Sequence, residues 1–196
     1  GYQALYGTNT SGYNTAVGYQ AAYSNTSGAT LEAFGYKSLF ANTTGANNAG
    51  YGTYTLTSNT TGSSNTAVGA SALYANTTAS NNTAVGYAAG YNNTTGASNL
   101  FVGNSVGFNN TTGGSNSFVG SHATGYTNTT GSYNTALGQE ALRSNTTASY
   151  NTAVGQSALY GNTTGNNNTA VGYNAGTGIT TGVENTFLGY NAGSSG

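Results

Sequence analysis

A five-residue phrase, NTAVG, returns along this chain at a fixed step. It stands at Asn14, Asn65, Asn82, Asn151 and Asn168, becomes NTALG at Asn134, and varies to NLFVG at Asn99, NSFVG at Asn116 and NTFLG at Asn185. LEAFG at Leu31 and NAGYG at Asn48 fall on the same grid. The step is 17 residues everywhere except one of 18, in the unit that starts at Asn116. A period held over a whole chain calls for similar units stacked on one another, each burying its apolar side against its neighbours. The grid divides the chain into a partial repeat over 1–13, ten full repeats over 14–184 and a partial repeat over 185–196. No linker or shift of composition interrupts it, so the expectation is a single solenoid domain over 1–196.

Counting positions from the Asn of NTAVG gives each column a role. Position 5 is Gly in every unit, the mark of a corner that a Cβ would disturb. Position 4 is apolar from Val17 to Leu188 and is expected to face the interior, opposite the small residues of position 8. On that phase, Val85→Asp should cost several kcal/mol. Position 1, Asn in ten of eleven units, reads as an internal ladder in which each amide bonds to the copies above and below. Positions 12 to 15, NTTG or NTSG, read as an exposed turn. Residues 1–13 carry one extra residue before that turn, and the 18-residue unit has its insertion between Ser121 and Thr127. The final piece stops at position 12.

Seventeen residues are too few for a two-helix repeat, which needs roughly 33 or more. The units are rich in Gly, Asn, Thr and β-branched residues, so the fold class is all-β, a β-solenoid with two short strands per turn at positions 1–5 and 7–11. At 17 per turn, 196 residues make about 11.5 turns, a rod of roughly 55 Å at about 4.8 Å per turn. Stacking also accounts for the 3 % of charged residues, since a charged column would set like charges opposite one another. One volume correlation links distant columns. Position 3 is Phe at Phe101, Phe118 and Phe187, where position 9 is Gly107, Thr124 and Gly193; where position 9 is Leu, position 3 is Ala or Gly. Two columns that share one packing space compensate in this way.

The repeat resembles the head repeats of trimeric autotransporter adhesins, and the NTAVGYQALYSNTTG arrays of tail-fibre-like and adhesin-like proteins. The resemblance covers the whole chain. It implies an extended extracellular shaft or adhesive head without catalysis. The period is longer than in adhesin heads and no neck, stalk or anchor is present, so single-chain and trimeric coils both stay open.

Residues with chemistry are few. His122, the single His, reads as a solvated loop residue, because no second His and no Cys could complete a metal or catalytic site. Glu140 with Arg143, and Glu32 with Lys37, read as local ion pairs. Two basic residues give no electrostatic basis for nucleic-acid binding, and no apolar run is long enough for a membrane span. No enzyme, cofactor or metal is expected. Two surface columns remain. One is aromatic: Tyr6, Tyr23, Phe40, Tyr74, Tyr91, Phe108 and Tyr160 at position 10, with Tyr19, Tyr36, Tyr87, Tyr173 and Tyr190 at position 6. The other is the N-x-[ST] glycan acceptor pattern at Asn9, Asn25, Asn42, Asn59, Asn76, Asn93, Asn110, Asn128, Asn145 and Asn162.

The sequence thus points to a non-enzymatic segment of an extracellular or cell-surface fibre, glycosylated at its turns and joined end to end into a longer filament. A glycan-binding adhesin or tail-fibre shaft is one alternative. An ice-binding solenoid, suggested by the Thr columns at positions 2, 13 and 14, is another. A polysaccharide-degrading β-helix lacks its carboxylate cluster.

Overall fold

The computed structural model describes residues 1–7 and 9–194. The extra residue before the first turn coincides with Thr8, and the end of the last repeat with Ser195 and Gly196, so both readings lie outside the described residues. Eleven three-residue strands follow one another: β1 (Thr15–Val17), β2 (Glu32–Phe34), β3 (Ala49–Tyr51), β4 (Thr66–Val68), β5 (Thr83–Val85), β6 (Leu100–Val102), β7 (Ser117–Val119), β8 (Thr135–Leu137), β9 (Thr152–Val154), β10 (Thr169–Val171) and β11 (Thr186–Leu188). They form one parallel sheet in sequence order. Each residue pairs with its equivalent in the next repeat, as Thr66 with Thr83 and Val68 with Val85. The chain is therefore a β-solenoid, and its repeat is one turn of the coil.

The interior phase differs from the sequence reading. Position 3 is inside: Ala33, Ala67, Ala84, Phe101, Phe118, Ala153 and Ala170 are fully buried. Position 4 is outside, with Val85 37 % and Leu137 49 % exposed. The strand alternates strictly, so with the Asn of position 1 buried, positions 2 and 4 must face outwards. The apolar column at position 4 is a surface ladder in which each β-branched side chain packs on the copies above and below it, a fit that does not require burial.

The second expected strand is also replaced. Positions 7 and 9 adopt left-handed backbone, as in Lys37 (φ 52°) and Leu39 (φ 54°), so positions 7–11 cannot be extended. The segment still bonds from turn to turn: Leu39 N–H donates to Thr55 O at 2.9 Å and Ala41 N–H to Thr57 O at 3.0 Å. A left-handed non-Gly residue costs roughly 1–2 kcal/mol. Burying a leucine returns roughly 1.5–3 kcal/mol, enough to hold Leu39, Leu56, Leu73, Leu142 and Leu159 in that conformation with no exposure. At position 5 the demand for Gly is steric as well. Gly18 sits at φ 137°, and a Cβ there would collide with the carbonyl oxygen of Gly35 in the next turn.

Positions 3, 8 and 9 fill the core together. In the divergent third turn, Gly50 leaves the space into which the Ser38 and Thr55 hydroxyls point, and Ser38 Oγ donates to Gly50 O at 3.0 Å. The Phe compensation is stricter than it reads in sequence. Thr124 O accepts the bond normally made to position 8, so Thr124 occupies position 8 and Gly125 position 9. Every core Phe then has Gly at position 9 of its own turn: Gly107 against Phe101, Gly125 against Phe118 and Gly193 against Phe187. Gly90 lies against Phe101 and Gly176 against Phe187 from the preceding turn.

Two outcomes check this packing in chemical denaturation. Ala84→Asp is expected to cost several kcal/mol and Val85→Asp little, the reverse of the sequence expectation, because only the first places an unpaired charge in the core. Ala84→Phe and Leu73→Gly should each destabilise, yet the pair together should cost less than their sum by about 0.5–3 kcal/mol, since the second vacates the room the first needs.

Candidate functional site

The asparagines of the NTT turns are inside the rod. Asn25, Asn42, Asn59, Asn76, Asn93, Asn110, Asn128, Asn145 and Asn162 have no exposed surface, and Asn9 is half-buried. The amide nitrogen of each of the nine buried asparagines is committed to the carbonyl three residues on, as Asn25 Nδ2 is to Gly28 O at 2.9 Å. Asn93 Nδ2 donates to Gly96 O at 2.9 Å and to Asn76 Oδ1 at 3.1 Å, while its Oδ1 accepts from Asn110 Nδ2 at 2.7 Å. The expectation that this turn is exposed at its Asn is therefore corrected: a glycan on that nitrogen would displace these bonds and lie in the core. The neighbouring Thr of position 13 is occupied too, as Thr43 Oγ1 donates to Thr60 O at 3.0 Å. Position 14, from Ser27 to Thr181, is the exposed one.

Position 1 forms the second internal ladder, as the sequence indicates. Asn65 Oδ1 accepts from the Asn82 N–H at 3.0 Å. Its Nδ2 donates to Ala79 O at 2.8 Å, the same carbonyl that Asn76 Nδ2 reaches at 3.1 Å. Leu31 breaks this ladder near one end and Ile179 breaks the other column near the opposite end. Above Asn162, where Ile179 replaces the next Asn, Asn162 Oδ1 is buried without a partner.

Aromatic rings form tracks along the surface. At position 10, Tyr6, Tyr23 and Phe40 stack at 5.2 Å, and Tyr74, Tyr91, Phe108 and Tyr126 at 4.9, 5.0 and 5.4 Å. Reading the sequence at a constant step misses Tyr126, because the insertion shifts it by one. Tyr160 continues this column through Arg143, whose guanidinium lies 5.4 Å from its ring centre. At position 6, Tyr19 stacks on Tyr36 and Tyr173 on Tyr190, both at 5.2 Å, and Tyr87 stands exposed. Tyr133 on Tyr150, at 5.0 Å, forms a further pair at position 17 that the column reading omits. These distances match the strand spacing, so the rings reinforce stacking by about 0.5–1.5 kcal/mol per pair.

The charged residues are local. Glu140 and Arg143 form an ion pair at 3.8 Å. Glu32 and Lys37 do not: Glu32 accepts from the Tyr51 hydroxyl, and Lys37 lies over the Tyr36 and Phe40 rings at 5.6 and 5.1 Å. The bond to Glu32, with burial and the carboxylate charge, raises the Tyr51 phenol above its ordinary pKa. Among the described residues no three His, Asp or Glu side chains come together, and no helix is long and apolar enough to cross a membrane.

One turn departs from the regular surface. At the insertion, a cleft of about 290 Å³ is lined by Ser105, His122, Ala123, Tyr126 and Arg143. No protein-family model, curated protein or solved structure matches the chain.

Three measurements test the buried columns. Asn93→Ala should destabilise by about 1–3 kcal/mol in denaturant, because it strands the amides above and below. Ile179→Asn, a polar residue in place of an apolar one, should stabilise the last turns by about 1 kcal/mol, read as slower amide exchange there, since it supplies the donor that Asn162 Oδ1 lacks. Folded rods recovered from a glycosylating host should show an intact mass with no glycan on the nine buried asparagines.

Proposed function

We propose that this chain is a length of structural rod in an extracellular or cell-surface fibre, with a mechanical role and no catalysis. The observation that carries this reading is the sameness of the bonding between turns. From β1 to β11 each turn meets the next through the same sheet pairs, with two asparagine ladders inside and aromatic stacks outside for most of the length. Tension along the axis would load many equivalent hydrogen bonds together. The near absence of charge supports side-by-side or end-to-end association, because stacked or abutting copies meet no like-charge repulsion. The resemblance to adhesin and tail-fibre repeats points the same way, with a trimeric arrangement and glycan binding as properties that such a shaft could carry.

A second reading has one observation behind it. On the outer face of the sheet, Thr135, Thr152, Thr169 and Thr186 stand beside Leu137, Val154, Val171 and Leu188, so hydroxyl and methyl groups repeat side by side at the strand spacing. An array of this kind can order water, as an ice-binding surface does. The paired Thr residues of positions 13 and 14 do not form one, since the former spends its hydroxyl on the next turn.

Electron microscopy of the native material should show filaments of uniform width. Adding two repeats should lengthen the rod by about 10 Å in small-angle scattering with no change of cross-section. Discrete compact particles would overturn the fibre reading. Thermal hysteresis that disappears in Thr152→Lys would favour the second.

A further inference from the structure

The insertion at residues 121–123 opens the repeat at one place and leaves hydrogen-bond donors without acceptors. In regular turns the N–H of position 7 donates to the carbonyl of position 6 one turn back, as Ser105 does to Tyr87 at 2.8 Å and Ser157 to Gln139 at 2.9 Å. Across the insertion that chain of bonds stops. Among the described residues the N–H groups of His122 and Ala123 meet no acceptor, and both residues are left-handed, at φ 47° and 64°. Consecutive amides at a sharp turn are a recurrent anion-binding device.

The opposite wall repeats the imbalance. Arg143 is half-exposed, but its Nε is buried and has no hydrogen-bond partner, because Glu140 Oε1, at 3.8 Å, is too distant to bond. Another edge of the guanidinium donates to the Tyr160 hydroxyl and faces that ring. Tyr126 adds an aromatic surface. The Ser105 hydroxyl gives its proton to Asn104 Oδ1 at 3.0 Å and so offers the cleft lone pairs. A cleft of about 290 Å³ is just under the roughly 300–1,000 Å³ usual for small-molecule sites, room for a single small ligand.

We propose that this cleft binds a single carboxylated sugar residue, a uronate. Its carboxylate takes the exposed part of the Arg143 guanidinium and the free amides of the inserted corner, one face of its ring lies against Tyr126, and a hydroxyl donates to Ser105. Glu140 competes for the same guanidinium. The site does not depend on the rod being part of a fibre.

The test is a titration of the protein with sodium D-glucuronate, followed by proton–nitrogen NMR, with D-glucose and sodium acetate as controls. Saturable shifts are expected at the His122 and Ala123 amides and at the Arg143 guanidinium, with D-glucose and acetate each at least about tenfold weaker. Arg143→Gln should weaken glucuronate by about tenfold or more, the usual scale for a lost charge-assisted bond, and Glu140→Gln should tighten it. Deletion of His122, which restores the 17-residue step, should abolish binding while the amide shifts of distant turns stay in place. Equal affinity for D-glucose, equal affinity for acetate, unchanged binding in Arg143→Gln, or shifts spread along the tyrosine tracks instead of the inserted corner would each overturn the proposal.

Discussion

Two columns of buried asparagine hold the interior of this rod in register. A coil wall that turns sharply at position 15 leaves a carbonyl pointing inwards, and an unmet buried carbonyl costs about 1–3 kcal/mol. Both asparagines of a turn converge on it: Gly113 O accepts from Asn99 Nδ2 and from Asn110 Nδ2, each at 2.9 Å. The remaining capacity of each amide runs along the axis to the next copy. The columns therefore close each turn and join it to its neighbours with the same side chains. An amide has donor and acceptor in one plane, and Leu, Ser or Asp could not do both. Where Ile179 interrupts the turn column, the acceptor next to it, Asn162 Oδ1, is left unpaired.

This polar spine frees the apolar residues for a second task. The backbone between positions 7 and 9 bends into left-handed conformations that branched and bulky residues ordinarily avoid. It stays there because position 9 delivers a leucine to the core, and where a phenylalanine from position 3 fills the same space, glycine relieves both the strain and the crowding. Core volume is thus conserved across two columns and adjacent turns, the behaviour of a close-packed interior under a fixed cross-section.

The sequence made the architecture legible because the period is a global property: the 17-residue step, the glycine of position 5 and the inner ladder of Asn65 and Asn82 needed no knowledge of side-chain direction. The phase did not follow, because a three-residue strand is too short to show alternation, and because Val85, exposed on a ladder of its own kind, is as apolar as a core residue. The turn asparagines were misread for a related reason. Asn in NTTG looks alike whether its amide faces water or, as at Asn93, a carbonyl three residues on. Tyr126 escaped because counting by a constant step carries the insertion's offset past Phe108, and the Tyr133–Tyr150 pair because position 17 is polar in most other units.

In such a structure, function has little room in the regular turns. Any side chain placed in one turn is repeated in the next unless the sequence departs from the pattern, and a departure in the core disturbs both neighbours. An added residue at an outer corner is different. It lengthens the wall at one level, as Ser121–Ala123 do, while Thr124, Gly125 and Asn128 return to their columns and carry the ladders through. The cost falls on a few backbone hydrogen bonds, and those same unpaired groups are what a ligand can use. In a uniform rod, the position where the period slips is where stacking energy has been exchanged for a surface unlike the rest, and Arg143, His122 and Tyr126 meet there.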